Sequence, residues 1–163
     1  MSTIILTEKQ INQKIKRIAF QILENNIDEP TLFLAGIAKN GFLFAEKIQK
    51  ELINNSDKDI VLVEVNIDKK NPLDNVYTSI NIKDMTDKSV VLVDDVLNSG
   101  RTLIYAIRHF LEVPLKSFKT AVLVNRNHKN YPVKADFKGI SLSTSLEEHI
   151  EVSFDQPAKA VLY

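Results

Sequence analysis

The chain of 163 residues is long enough for one domain with a real core, and its 44% hydrophobic and 26% charged residues are ordinary for a globular protein. Lysine plus arginine (21) equals aspartate plus glutamate (21), so no global positive field attracts nucleic acid. The absence of cysteine excludes disulfides and thiolate chemistry. With neither a signal-peptide pattern nor a long apolar run, we expect a cytoplasmic protein with a single domain, residues 1–163, and no membrane partner.

The N-terminal third predicts a helix, a strand and a second helix. Thr7 and Gln10 form a capping-box pattern, and the apolar residues after them recur at helical spacing over about 19 residues. Residues 31–37 are a short apolar run that predicts a buried strand. The next helix, after Gly41, carries its apolar residues on one face: Phe42, Ala45, Ile48 and Leu52. Gly36 and Gly41 have Walker A spacing, but Phe42 and Leu43 stand where Lys and Ser or Thr are required, which excludes that loop.

The remainder of the chain continues the alternation of strands and helices. Residues 60–66 and 120–124 predict buried strands, and a helix after residue 102 is lined by Leu103, Ile107, Phe110 and Leu111. Residues 67–88 are polar and predict a flexible excursion with a short strand pair near 77–82. Residues 135–142 predict a further strand and a loop over the site, and the tail from 151 is strand-like. The pattern predicts an α/β fold with a mostly parallel, twisted sheet flanked by helices.

Residues 89–102, SVVLVDDVLNSGRT, carry the clearest chemical signal. They predict a buried parallel strand, a tight turn and a helix start, which is where open α/β sheets bind ligands. Residues 98–102 can present successive backbone N–H groups to a phosphate, and Gly100 allows a positive φ or a close approach. Asp94 and Asp95 suit vicinal sugar hydroxyls, or a magnesium ion and its waters. The stretch therefore predicts a ribose-phosphate site, since a merely capped helix leaves both aspartates unexplained.

Asp94 to Thr102 resembles the phosphoribosyl-pyrophosphate (PRPP) motif of type I phosphoribosyltransferases. Residues 17–26, 36–37, 121–129 and 131–139 are similar to the bacterial pyrimidine-operon regulator family. Members of that family are uracil phosphoribosyltransferases that often also bind messenger RNA. The resemblance implies the type I phosphoribosyltransferase fold with a small hood. It also implies PRPP and a nucleobase as substrates, Mg²⁺ as cofactor, and a homodimer or higher homo-oligomer.

The resemblance also assigns roles to individual residues. Asp94 and Asp95 are catalytic, holding the ribose hydroxyls and, through PRPP and water, the metal. The PRPP-binding set continues with the 5′-phosphate loop and the pyrophosphate loop: Asn98, Ser99, Gly100, Arg101 and Thr102, then Ala38, Lys39, Asn40 and Gly41. The base-binding set is Arg126, Phe137, Lys138 and Ile140, with His128 as a further candidate.

The sequence departs from the family pattern at three places. The family's pyrophosphate loop usually carries Thr-Arg-Gly, but Lys39-Asn40-Gly41 stands here. Lys39 thus becomes the catalytic candidate, as a point charge without a planar fork. Residues 67–88 are shorter than the family's flexible loop and lack its Arg-Asp-Asp run, leaving Lys69 and Lys70 as the nearest candidates for pyrophosphate contacts. Asn125 replaces the usual aspartate before Arg126.

Two functions follow from these residues. The first is transfer of the phosphoribosyl group of PRPP to a nucleobase, with uracil favoured, giving uridine monophosphate (UMP) and pyrophosphate. The alternative is a pyrimidine regulator that senses PRPP or nucleotides with little or no turnover and has RNA as a partner. The neutral charge balance argues mildly against RNA binding. Purine and orotate enzymes share the PRPP motif, so only residues 121–140 point to uracil.

Overall fold

The computed structural model describes residues 1–163 and contains two β-sheets and three α-helices. A short 3₁₀ helix spans Ile82–Met85. The elements in chain order are β1 (Thr3–Leu6), α1 (Glu8–Asn25), β2 (Thr31–Ile37), α2 (Asn40–Asn54), β3 (Asp59–Asn66), β4 (Tyr77–Thr78), β5 (Ser89–Leu97), α3 (Arg101–Phe110), β6 (Ser117–Arg126), β7 (Phe137–Leu142), β8 (Ile150–Ser153) and β9 (Lys159–Leu162).

The larger sheet has six strands in the order β4-β3-β2-β5-β6-β7. All neighbours pair in parallel except β4, which runs antiparallel to the end of β3. The carboxyl ends of β2, β5 and β6 lie along one edge, with Gly36 opposite Val93 and Leu97 opposite Asn125. The second sheet, β1-β9-β8, is antiparallel and forms a hood. The predicted α/β class and parallel sheet are confirmed.

The strands of the large sheet are apolar on both faces because helices cover both faces. Leu34 and Val91 belong to a hydrophobic cluster with α1 and α2, whereas Ala35 and Leu92 belong to a second cluster with α3 and Met85. Alternate residues of each central strand therefore anchor opposite helix layers. Packing on both faces fixes the position of each strand along its own axis, and hence the position of the loop that follows it.

The hood packs against the same hydrophobic cluster as α1 and α2. Ile150, Val152 and Ala160 are buried members of that cluster. Phe154, just after β8, stacks on Phe44 of α2 with ring centroids 5.9 Å apart. Strand β8 also lies against β5, so the hood stands over the carboxyl edge of the large sheet. No helix is both long enough and apolar enough to cross a membrane.

Local signals in the sequence mark several elements correctly. The capping box at Thr7 and Gln10 is formed, and α1 has 18 residues. Leu111 was predicted to line α3, but it caps the helix and is exposed. The short strand predicted near residues 77–82 is β4, and its partner is the end of β3 rather than a second strand of the excursion. The strand predicted within residues 135–142 is β7 (Phe137–Leu142), an edge strand of the large sheet, and residues 135–136 lie at its amino end rather than in a loop over the site.

Candidate functional site

Both aspartates and the predicted phosphate loop line one cavity of about 220 Å³ at the carboxyl edge of the sheet. Asp94 and Asp95 lie near the end of β5, and residues 98–102 turn from that strand into α3. Two other parts of the chain complete the cavity wall, with Lys69 from the excursion after β3 and Ile150 from the hood. The structure thus brings a carboxylate pair, backbone N–H groups and an apolar hood residue to one place.

The acidic pair is held by the backbone of its own strand. Asp94 Oδ1 accepts from the Asp95 N–H at 2.9 Å, and Asp95 Oδ1 accepts from the Val96 N–H at 2.8 Å. The Lys69 ammonium lies 3.8 Å from Asp94 Oδ1. Burial, followed by the nearby charge of Asp95, raises the pKa of Asp94 well above its usual value, and Lys69 opposes this. Asp94 therefore holds its charge at an energetic cost that a cationic or hydroxyl-rich ligand would relieve.

The phosphate loop begins its helix with a left-handed glycine. Gly100 has φ of +87°, and α3 starts at the next residue, Arg101. The Ser99 carbonyl accepts N–H bonds from Asn130 at 2.8 Å and Tyr131 at 3.2 Å, which ties the loop to the segment after β6. A Cβ at Gly100 would overlap the Val133 side chain. The glycine is thus required by its backbone conformation and by this packing.

The predicted pyrophosphate loop is divided between two surroundings. Ala38 and Lys39 line a separate cavity of about 740 Å³ beneath the excursion after β3. Asn40 points the other way: its Nδ2 donates to Asp95 Oδ2 at 3.1 Å and to the Val152 carbonyl of β8 at 2.9 Å. Gly41 lies so close to β5 that a Cβ there would come within 2.8 Å of the Val93 carbonyl oxygen. Lys39 and the acidic pair therefore serve neighbouring cavities rather than one.

The structure brings only some of the predicted base-binding residues to the carboxyl edge of the large sheet. Phe137 is 5% exposed within the hydrophobic core, opposite Ala121 at the amino end of β7. At a strand rise of about 3.3 Å per residue, Phe137 lies about 16 Å from the carboxyl end of β7. Lys138 is exposed at the same end. Both residues thus lie away from the site, contrary to the prediction, because the sequence did not reveal the register of β7.

Ile140, Arg126 and His128 differ in their surroundings. Ile140 is half-buried in mid-strand, opposite Val124, and packs against the hydrophobic core. Arg126 does lie at the site edge, but its guanidinium bonds Asn98 and the segment before β8. The His128 ring contacts the backbone carbonyl of Thr144 in that same segment.

Sequence reasoning missed the contribution of the hood to the site. Val152 falls in the tail predicted to be strand-like, and the sequence assigns no role to Thr144, Glu148 or Ile150. No local motif marks them, because Ile150 and Val152 are placed by the pairing of β8 with β9, and Thr144 and Glu148 by hydrogen bonds to Arg126. The one available signal is the polar pair Asn125 and Arg126 at the end of an apolar strand; the structure buries both residues, which therefore require partners from elsewhere.

Comparison with known proteins agrees with this geometry. The family model of the phosphoribosyl transferase domain matches residues 1–157. The chain is 36% identical to the Bifunctional protein PyrR of Streptococcus sanguinis, with 93% of this chain and 90% of that protein covered. It is 34% identical to the Bifunctional protein PyrR of Clostridioides difficile, with 91% and 89% covered.

The chain belongs to the phosphoribosyltransferase family. Solved structures of that family share its fold at low sequence identity. A hypoxanthine-guanine phosphoribosyltransferase from Bacillus anthracis aligns with a TM-score of 0.74 at 21% identity, covering 87% of this chain and 83% of that one. The hypoxanthine phosphoribosyltransferase of Trypanosoma cruzi aligns with a TM-score of 0.76 at 17% identity, covering 98% and 95%. The type I phosphoribosyltransferase fold predicted from the PRPP motif is therefore confirmed.

A phosphoribosyltransferase fold implies Mg²⁺ bound together with PRPP, and the donor set here fits that arrangement. Asp94 and Asp95 are hard oxygen donors, and no cluster of three or more acidic or histidine side chains could cage a metal ion. Mg²⁺ typically keeps waters and uses one or two carboxylates plus substrate phosphates. The site is suited to a metal that arrives with its phosphorylated substrate.

Proposed function

We propose that this protein transfers the phosphoribosyl group of PRPP to uracil, forming UMP and pyrophosphate. The observation that carries the proposal is the single cavity that joins Asp94, Asp95 and the phosphate loop to Ile150 of the hood. A ribose 5-phosphate that fills this cavity has its phosphate against the loop and its hydroxyls against the aspartates. The choice of uracil draws on the similarity to the PyrR relatives over most of the chain.

Each group in the cavity acts on a different part of the substrate. Backbone N–H groups of residues 98–102 and the start of α3 hold the 5′-phosphate. Asp94 and Asp95 accept hydrogen bonds from the ribose hydroxyls and fix the sugar for attack at C1′. Ile150 supplies an apolar wall on the hood side, where the base enters. Mg²⁺ bound with PRPP would neutralise charge on the leaving pyrophosphate.

The reaction exchanges one bond at C1′ for another. A ring nitrogen of the base bonds to C1′ while the C1′–oxygen bond to pyrophosphate breaks, and the proton of that nitrogen passes to solvent. No histidine or carboxylate stands out as a general base, so the protein acts by positioning and by charge. Lys39 in the adjoining cavity and Lys69 beside Asp94 are the cations that we assign to the departing pyrophosphate.

The decisive experiment is PRPP-dependent consumption of a panel of bases in the presence of magnesium. Uracil, hypoxanthine, guanine and orotate each enter the assay, because the structural relatives include purine enzymes. We expect UMP and pyrophosphate from uracil, and no turnover by Asp94→Asn with Asp95→Asn. Consumption of a purine base in place of uracil would overturn the assignment of the substrate.

The residues around the predicted pyrophosphate loop favour a second candidate function. It is a regulator that binds PRPP or nucleotides with little turnover and has RNA as its partner. The cavity lined by Lys39 also contains three carboxylates: Glu64, Asp68 and Asp74. This negative surround opposes pyrophosphate, and the arginine usual in the family is absent. A wild-type protein that binds PRPP tightly but consumes none of the bases would support the regulator.

Lys39→Ala separates the two candidates further. If Lys39 stabilises charge that develops only during transfer, its loss lowers kcat about 10-fold or more and leaves the affinity for UMP nearly unchanged.

We also propose a homodimer or higher homo-oligomer, which sedimentation velocity would test.

A further inference from the structure

Arg126 is a buried cation with an unusually complete set of neutral partners. The residue is 7% exposed at the end of β6. Its Nη1 donates to Asn98 Oδ1 at 2.9 Å, and its Nε donates to Thr144 Oγ1 at 2.9 Å. Its Nη2 donates to the carbonyls of Ser145 at 3.2 Å and Glu148 at 2.7 Å. Four of its five N–H groups are therefore engaged within the protein.

None of these partners carries a charge. The Glu148 carboxylate bonds the Ser145 N–H instead, and Arg126 takes part in none of the four ion pairs of the protein. Buried charges in proteins are normally paired with an opposite charge. The positive charge of Arg126 thus remains uncompensated beside the phosphate loop, where an anionic ligand complements it.

The partners of Arg126 lie on two separate segments, one that lines the cavity and one that leads into its hood wall. Asn98 opens the phosphate loop. Residues 144–148 lead directly into β8, whose first residue, Ile150, forms the hood side of the same cavity. The planar guanidinium links these two segments. Its rigid fork of N–H donors bonds partners on both sides at once, whereas the ammonium of a lysine has no such fixed geometry.

We propose that Arg126 is a positioning residue that fixes the phosphate loop against the hood segment, and that phosphate binding depends on this link. The inference rests on the proposed function of the cavity as a ribose-phosphate site. It replaces the role of base contact for Arg126, because four of the five N–H donors of the side chain are already engaged within the protein. The predicted consequence is a loss of affinity for a ligand that has a phosphate and no base.

The test measures binding of ribose 5-phosphate and of UMP by isothermal titration calorimetry. Arg126→Met keeps the apolar stem and removes every donor. We expect ribose 5-phosphate and UMP both to bind about 10-fold more weakly. The factor should be the same for the two ligands, because the variant weakens only the phosphate contacts that they share. In turnover, the KM for PRPP should rise by a similar factor with kcat changed less than about 3-fold, as for uniform binding.

Three further variants isolate the link. Arg126→Lys restores the charge without the fork, and we expect it to recover less than half of the lost binding free energy. Asn98→Ala removes only the side-chain bond from an exposed residue and should weaken ribose 5-phosphate several-fold even if Arg126→Met folds poorly. Adding Asn98→Ala to Arg126→Met should cost nothing more, because Arg126→Met has already removed the only hydrogen bond that Asn98→Ala breaks. Arg108→Met is the matched control, an exposed arginine of α3 stacked on Tyr105, and should bind as wild type does.

The other outcomes overturn the proposal in distinct ways. Weaker UMP binding with unchanged ribose 5-phosphate binding would make Arg126 a base contact. A lower Tm with unchanged affinity for both ligands would make it merely structural. Wild-type protein that binds neither ligand would refute the proposed function itself, and this inference would fall with it.

Discussion

At the scale of single residues, the site contains charges that the fold alone would not favour. Asp94 is buried beside Asp95, and burial together with that neighbour raises its pKa well above the usual value. A carboxyl whose pKa is raised on folding binds its proton more tightly in the native state than in the unfolded chain. Stability therefore falls as pH rises from about 3.9, the unfolded value, through the higher folded pKa.

Asp94→Asn should remove this dependence on pH. The amide keeps an oxygen for the Asp95 N–H and carries no charge. We expect the variant to exceed wild type in Tm at pH 8 by about 2–4 °C, which corresponds to about 1 kcal/mol for a domain of this size. The difference should shrink towards pH 4, where wild-type Asp94 is protonated. Thermal unfolding across pH checks this, with Asp57→Asn at an exposed position as control. A difference that does not vary with pH would contradict the prediction.

Asn40 connects the pyrophosphate loop, the acidic pair and the hood through one amide. Asn40→Ala removes two hydrogen bonds, one of them to a carboxylate, and should lower the free energy of unfolding by about 1–3 kcal/mol and lower kcat. Asn40→Arg restores the residue usual in the family. If turnover is limited by the missing positive charge near the pyrophosphate, Asn40→Arg should raise kcat several-fold above wild type while still lowering Tm.

Urea unfolding and steady-state kinetics of the two variants test this pair of predictions. The alanine variant is the control for loss of the amide alone. A value of kcat for Asn40→Arg at or below that of Asn40→Ala would show that the missing arginine is not the handicap.

At the scale of elements, the junction of β5 and α3 depends on Gly100. Its φ of +87° lies in the left-handed region, and any Cβ overlaps Val133. Gly100→Ala should therefore destabilise the fold by about 1–3 kcal/mol and displace the loop that binds phosphate. Adding Val133→Ala makes room for the new methyl group but leaves the backbone strain.

Urea unfolding of the single and double variants separates the two contributions. We expect Val133→Ala to recover part of the loss caused by Gly100→Ala, after correction for Val133→Ala alone. Full recovery would mean that the backbone conformation carries no strain, and no recovery would mean that Val133 is not the obstacle.

The elements that the sequence predicts well are those with strong local signals. The capping box of α1, the apolar strands β2, β5 and β6, and the loop from Asp94 to Thr102 each carry their own pattern. The strands predicted for β7 and the tail of the hood are present, but no local signal gives their pairing or register, because short strands gain stability only from their partners. For that reason Phe137 was assigned to the wrong end of the sheet, and Ile150 and Val152 were not assigned to the site at all.

At the scale of the whole molecule, the parallel sheet and the hood enclose the site between them. The sheet supplies charge and phosphate-binding backbone at its carboxyl edge, and the hood supplies one apolar wall. Polar side chains connect the two parts: Asn40 reaches β8, and Arg126 and His128 reach the segment before it. A ligand that contacts both parts therefore stabilises their association, so its binding should be visible in global unfolding.

PRPP with magnesium should raise the Tm of the wild-type protein. A ligand at 100 times its Kd that binds only the native state adds about 2.7 kcal/mol, and for this chain length that corresponds to about 5–10 °C. The measured quantity is the ligand-induced shift, since Asp94→Asn by itself is expected to change the starting Tm.

The double variant Asp94→Asn with Asp95→Asn should lose this shift because the ribose hydroxyls and the metal lose their carboxylates together. Magnesium alone and PRPP alone are the controls, and each should give a smaller shift than the pair in wild type, because the carboxylates favour PRPP that carries its metal. The Asp57→Asn variant should respond as wild type does. A double variant that is stabilised by PRPP and magnesium as strongly as wild type would refute the role of both aspartates, and with it the identification of this cavity as the PRPP site.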